Sequence, residues 1–85
     1  QYLRMKAIHF TEMLRQIDQA YQHRALVDVY AYKGETGAIV HYKGWLVHHV
    51  AWRQGFIRLR NPKNRELRTI PQIFIIQINN QKIYL

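Results

Sequence analysis

Ala38-Ile39-Val40-His41-Tyr42-Lys43-Gly44-Trp45-Leu46-Val47-His48-His49-Val50-Ala51-Trp52 is the stretch whose reading decides the fold. Its β-branched and aromatic residues make it one long strand. Gly44 stands in its middle, where a bulge or a sharp bend is expected. By parity Trp52 shares a face with Leu46 and Val50 and is expected in the core. Trp45 shares a mixed face with His41, Lys43, Val47 and His49 and is expected to be the exposed tryptophan.

On the N-terminal side, Lys33-Gly34-Glu35-Thr36-Gly37 reads as a turn. Before it, Ala25, Val27, Val29 and Ala31 alternate with Leu26, Asp28, Tyr30 and Tyr32, a period-2 strand. Further upstream, Leu3, Ala7, Phe10, Leu14, Ile17 and Tyr21 recur at spacings of four and three, with Ile8, Met13 and Ala20 on the flanks. Arg4, Lys6, Glu12, Arg15, Gln16, Asp18 and Gln19 fill the other side, and no Gly or Pro interrupts residues 1–33. The spacing predicts a helix over residues 1–22 whose apolar face packs on the sheet.

On the C-terminal side, Arg53-Gln54-Gly55 is a hairpin turn and Phe56 to Arg60 a third strand, with Ile57 and Leu59 facing one way and Arg58 and Arg60 the other. Asn61-Pro62-Lys63-Asn64 has type I turn chemistry. Arg65 to Ile70 is a fourth strand that Pro71 ends. Ile73 to Ile78 is a short apolar strand, the most buried-looking piece. Asn79-Asn80-Gln81 turns, and Lys82 to Leu85 adds a last edge. The expected architecture is therefore α+β and mainly β. It is a single domain over residues 1–85, with a helix over 1–22 and a five-stranded, bent, antiparallel small β-barrel over 24–85, and in this it resembles the Sm-like and SH3-like barrels.

That order resembles the Sm-like family. Gly44 lies inside a long bent strand, as a glycine does in many Sm-like second strands. Phe56-Ile57-Arg58-Leu59-Arg60 resembles their third strand, and Arg68-Thr69-Ile70-Pro71-Gln72-Ile73-Phe74-Ile75-Ile76-Gln77-Ile78 their closing pair. The layout of a helix followed by an Sm-like β-unit is also similar to YolD-like proteins. The resemblance spans roughly residues 3–79 and is one of order and hydrophobic pattern. The Sm signature loops are missing: Arg53-Gln54-Gly55 stands where one would be and Pro71-Gln72 where the other would be, so no RNA-pocket residue is carried over. The YolD-like resemblance implies an accessory role beside DNA damage-related polymerases.

Charge narrows the function. Among the 85 residues, 13 Lys/Arg face 5 Asp/Glu, a net charge of +8. Residues 1–50 hold six basic and four acidic groups, net +2, and residues 51–85 hold seven basic and one acidic, net +6. A polyanion-facing surface is expected in the second half. Arg53, Arg58, Arg60, Lys63, Arg65 and Arg68 fall on one hairpin. Arg58 and Arg60 share a face, and Arg68 is expected to lie across from them. With Trp45 they form the candidate nucleic-acid site, since single strands are held by fork-shaped cations and stacking platforms.

No enzyme is expected. The chain has no Ser and no Cys, its threonines lack a neighbouring His–Asp pattern, and Asp28 reads as a surface or edge charge. The five histidines show no metal-ligand spacing, because His48 and His49 point to opposite faces of a strand and His41 lies too far from His49. No cofactor and no metal are expected. No stretch reads as a signal peptide or a membrane span. The absence of cysteine fits a reducing cytosol, and a cytoplasmic location is expected. The chain opens on Gln1 rather than Met, as an excised domain would. The expected function is a basic, non-catalytic binding module for RNA or single-stranded DNA. The alternative is a protein-interaction module of YolD-like type, accessory to DNA repair or replication and able, through an open edge, to form a homo-oligomer.

Overall fold

A computed structural model describes residues 5–85. Its elements run β1 (Lys6–His9), α1 (Phe10–His23), β2 (Leu26–Tyr32), β3 (Ile39–Ala51), β4 (Phe56–Arg60), β5 (Leu67–Pro71), a 3-10 turn (Gln72–Phe74), β6 (Ile75–Ile78) and β7 (Gln81–Tyr84). All strands join one mixed sheet of seven in the order β1-β7-β6-β2-β3-β4-β5. Among the described residues only β1 and β7 pair in parallel. The sheet is strongly bent and is not closed. β6 pairs with β2 on one side and β7 on the other, β7 takes up β1, and β1 and β5 are the two edges.

The bend comes from β3, as its sequence predicts, but from two places rather than one. At Gly44 the pairing with β2 slips, so that Asp28 faces Lys43 while Val27 faces Trp45. Gly44 has φ +69°, a left-handed conformation that costs an L-residue about 1–2 kcal/mol. Its backbone N–H donates to Asp28 Oδ1 at 2.8 Å. A second slip at His48 sets Val47 against Leu59 and His49 against Arg58. Each extra residue moves the inward series by one position. The core-facing series is therefore Val40, Tyr42, Trp45, Val47 and Val50, all half-buried or buried, while Leu46 off that series is half-buried too and Ala51 at the end of the strand is buried.

This reverses the tryptophans. Trp45 packs against the core, and Trp52, beyond the end of β3, is 41% exposed. Asp28 is a fastener rather than a surface charge. Besides holding Gly44, its backbone N–H donates to Asn79 Oδ1, and its carbonyl accepts from Asn79 N–H. Asp28→Ala leaves the Gly44 N–H without its acceptor and is expected to cost about 1–3 kcal/mol in urea unfolding.

The predicted helix over 1–22 needs correction. Lys6–His9 is a strand bound to β7, and the helix begins at Phe10. Leu3 and Arg4 lie outside the described residues. His9 caps the helix, its Nδ1 accepting from the Thr11 N–H at 3.1 Å. The buried face is Met13, Ile17 and Ala20 with Phe10 and Leu14 beside it, while Tyr21 is exposed. Arg24 ends the helix with φ 53°, its N–H donating to the carbonyls of Ala20 and Tyr21.

The core gathers Met13, Ile17, Val27, Val29, Ile57, Leu59 and Ile78, all almost fully buried. Burying each side chain of this kind contributes about 1.5–3 kcal/mol. The closing segment differs from its prediction at one end. Gln72–Phe74 is a 3-10 turn, with Ile73 71% exposed, and only Ile75–Ile78 is strand. Pro71, which cannot donate to a ladder, is the last residue of β5. The Gln72 N–H donates to the Gly55 carbonyl and stitches this turn to the start of β4. The final strand is not an edge, because β1 covers it.

Candidate nucleic-acid interface

The hairpin β4–β5 carries most of the candidate site, and its register sorts the cations. Residues directly opposite one another across a ladder share a face. Arg58 stands between His49 and Thr69, and Arg60 between Leu46 and Leu67. Since Ile57 and Leu59 are buried, Arg58 and Arg60 lie on the outer face, as the strand's parity predicts. Arg68 stands opposite Leu59, which puts it on the core side instead. The expectation that it lies across from Arg58 and Arg60 is therefore corrected. The fourth strand begins at Leu67, because Arg65 adopts φ 62° in the turn, and this fixes the face Arg68 takes.

The turn residues are spread along the hairpin. Arg53 is exposed at the end where β4 starts, and Lys63 and Arg65 are exposed in the loop where it finishes. The five residues of β4 separate them by about 17 Å. Outward from the strand, the Arg58 guanidinium lies 5.7 Å from the Phe56 ring centre, and its Nε donates to Thr69 Oγ1 at 3.3 Å. The Phe56 ring also sits 6.5 Å from the His49 ring. Phe56 is thus part of this outer face.

The distribution of carboxylates decides which cations remain available. Glu12 is held by Arg15 and Gln16, and these bonds, the Arg15 one foremost, bring its carboxyl pKa down to about 2. Asp18 accepts from Gln22, and Asp28 holds Gly44. Glu66 pairs with Arg68. Among the described residues the ion pairs are Arg15–Glu12 and Arg68–Glu66, so neither Arg58 nor Arg60 is in one.

On the core side of the β5 edge, a cleft of about 450 Å³ opens towards the β2–β3 turn. Tyr32, Tyr42 and Trp45 supply its aromatic surface, and Lys33, Glu66 and Arg68 its charged groups. Tyr42 and Trp45 meet edge to face at 5.1 Å. The structure therefore brings Trp45 and Arg68 together, but apart from Arg58 and Arg60. Sequence reasoning does not single out Tyr32 and Lys33 for binding, and it notes Tyr42 only as an aromatic near the arginines in sequence. The signal that could have found them is the bulge at Gly44, which turns Tyr42 and Trp45 to the same side.

A second hollow, of about 480 Å³, lies between the end of α1 and the β3–β4 ladder, lined by Tyr21, Gln22, Arg24, Leu46, Val47, His48 and Arg60. His48 and His49 are both exposed, and the bulge at His48 replaces the strict alternation expected of them. His41 stacks on Tyr30 at 4.0 Å. Among the described residues no three His, Asp or Glu side chains gather in the manner of a metal site, and no helix is long and apolar enough to cross a membrane. No family model, no curated protein and no solved structure matches this chain.

Proposed function

We propose that this chain is a non-catalytic, basic module that binds single-stranded nucleic acid, RNA or DNA, along the outer face of β3 and β4. The observation that carries the reading is the pair Arg58 and Arg60, two residues apart on the outward face of β4, Arg58 exposed and Arg60 half-buried, and outside every ion pair among the described residues. Guanidinium forks suit phosphate oxygens, and Phe56 beside Arg58 adds a stacking surface. Arg53 at one end and Lys63 and Arg65 at the other extend the charge along the hairpin, a track for a backbone. Tyr32, Tyr42 and Trp45 in the cleft across β4–β5 offer further surface for bases.

In the same reading, β2 to β6 form an open Sm-like unit. Support for it lies in their neighbour order β6-β2-β3-β4-β5, the 13-residue bent β3 and the 3-10 turn before β6. The protein works in the cytoplasm. A second reading, a protein-interaction module of YolD-like type serving DNA repair or replication proteins, is favoured by one observation. Among the described residues strand β5 has a neighbour on one side only, and that edge can accept a strand from a partner or from a second copy.

A salt titration separates the two. Binding of labelled single-stranded RNA and DNA, followed by fluorescence anisotropy, is expected to weaken log-linearly with salt at about 0.7 of a unit per phosphate neutralised. Affinity that ignores salt, or no binding at low salt, overturns the first reading. A mass in light scattering that rises with protein concentration would then support the second.

A further inference from the structure

Arg60 has an unmet need. Its Nε is shut off from solvent and has no hydrogen-bond partner among the described residues. A guanidinium stays charged at any physiological pH, and a buried donor of a charged group without an acceptor is costly. The side chain borders the hollow between the end of α1 and β3–β4, whose walls also carry Arg24, His48, the Tyr21 phenol and the Gln22 amide. No carboxylate lines it. Two guanidinium groups, an imidazole and two further polar side chains thus share a concave site.

We infer that this hollow is a phosphate site, one that takes a singly attached phosphate group such as the end of a strand or a free pyrophosphate. Two fixed guanidinium charges, with the His48 imidazole beside them, match a group carrying close to two negative charges. A phosphodiester within a chain carries one and must leave the hollow in two directions. Leu46 and Val47 form an apolar wall that excludes water from one side and strengthens the polar interactions on the other. The carbonyl end of a helix opposes an anion. Here that opposition is blunted, because the Arg24 and Ala25 N–H groups already bond the Ala20 carbonyl, and Arg24 places its own charge at that end. The site shares Arg60 with the proposed interface, but it rests on the concave lining that joins Arg60 to Arg24 and His48, which that interface does not use.

Pyrophosphate is the probe, titrated into the whole chain by calorimetry and by the arginine Nε–H signals in NMR. Saturable binding with the Arg60 Nε–H signal moving is expected. Arg24→Asn, which still suits the left-handed cap position, and Arg60→Lys, which keeps the charge but not the fork, are each expected to weaken it about tenfold or more. Lys82→Ala, which removes one charge from β7 outside the hollow, is expected to leave binding within about twofold. Non-saturating binding, or equal loss in Lys82→Ala, overturns the site. A 5′-phosphorylated oligonucleotide binding more tightly than its 5′-hydroxyl twin, with Arg24→Asn removing the difference, assigns the phosphate to a strand end. Equal binding of the twins beside tight pyrophosphate assigns it to a free phosphate compound. Pyrophosphate binding without oligonucleotide binding sinks the nucleic-acid reading and leaves the site standing, and the reverse result does the opposite.

Discussion

Ile17→Ala is expected to cost about 2–5 kcal/mol of folding stability, and Tyr21→Ala, one helical turn later, less than about 1 kcal/mol. Ile17 is completely enclosed among Met13, Ala20 and the inner side chains of the sheet, so truncating it leaves a cavity that the surroundings fill only in part. Tyr21 is 44% exposed and lines the hollow beside Arg60, so its truncation opens a space that water already reaches. For a chain of 85 residues the whole margin is about 4–13 kcal/mol, and the first variant therefore consumes a large part of it. Urea unfolding with an unchanged slope against denaturant checks both values. Equal losses at the two positions would place the buried helix face where the residue spacing alone puts it.

That contrast shows what is legible in the sequence. The strands over 26–32, 39–51 and 56–60, the turns between them and the division of Ile57 and Leu59 from Arg58 and Arg60 all follow from local alternation, and the structure has them. The helix start does not follow from local pattern. Lys6–His9 continues a helical spacing, yet it pairs with Gln81–Tyr84 at the far end of the chain, a pairing no window of neighbouring residues can reveal. The same pairing turns the expected last edge into an interior strand and extends the sheet past the point where five strands would have closed. Trp45 and Trp52 exchange roles because parity counts residues evenly, while Gly44 and His48 each insert one that faces nothing. The glycine announces its bulge. His48 carries no such mark, and only the register of β3 against β4 shows it. Arg68 escapes the sequence pattern for the same reason, as a face can be counted along a strand but not across a turn whose last residue, Arg65, takes a left-handed conformation.

The sorting of arginines by face leads to the second large effect. Arg58→Ala with Arg60→Ala is expected to weaken binding of a single strand about a hundredfold at moderate salt, roughly tenfold for each charge-assisted hydrogen bond removed. The slope of log affinity against log salt should fall by about 1.4, two phosphates at about 0.7 each. Arg68→Ala is the discriminating partner experiment. The total charge of the chain changes by one unit, as in Arg58→Ala alone. If net charge were all that held the strand, the two single variants would be equivalent. Yet the Arg68 guanidinium already pairs with Glu66 and stands on the core side of β5, whereas Arg58 faces outward between His49 and Thr69 with no carboxylate partner among the described residues. A phosphate displacing Glu66 from Arg68 would merely exchange one ion pair for another, so Arg68→Ala should change the slope by clearly less than Arg58→Ala does. Circular dichroism keeps the comparison clean, because Arg58 and Arg68 are exposed and the half-buried Arg60 lies on the outward face of β4, so none of the variants should alter the sheet signal. Equal slopes for Arg58→Ala and Arg68→Ala would mean that the strand responds to the charge of the molecule and not to one wall of it, and the assignment of the interface to β4 would then be wrong.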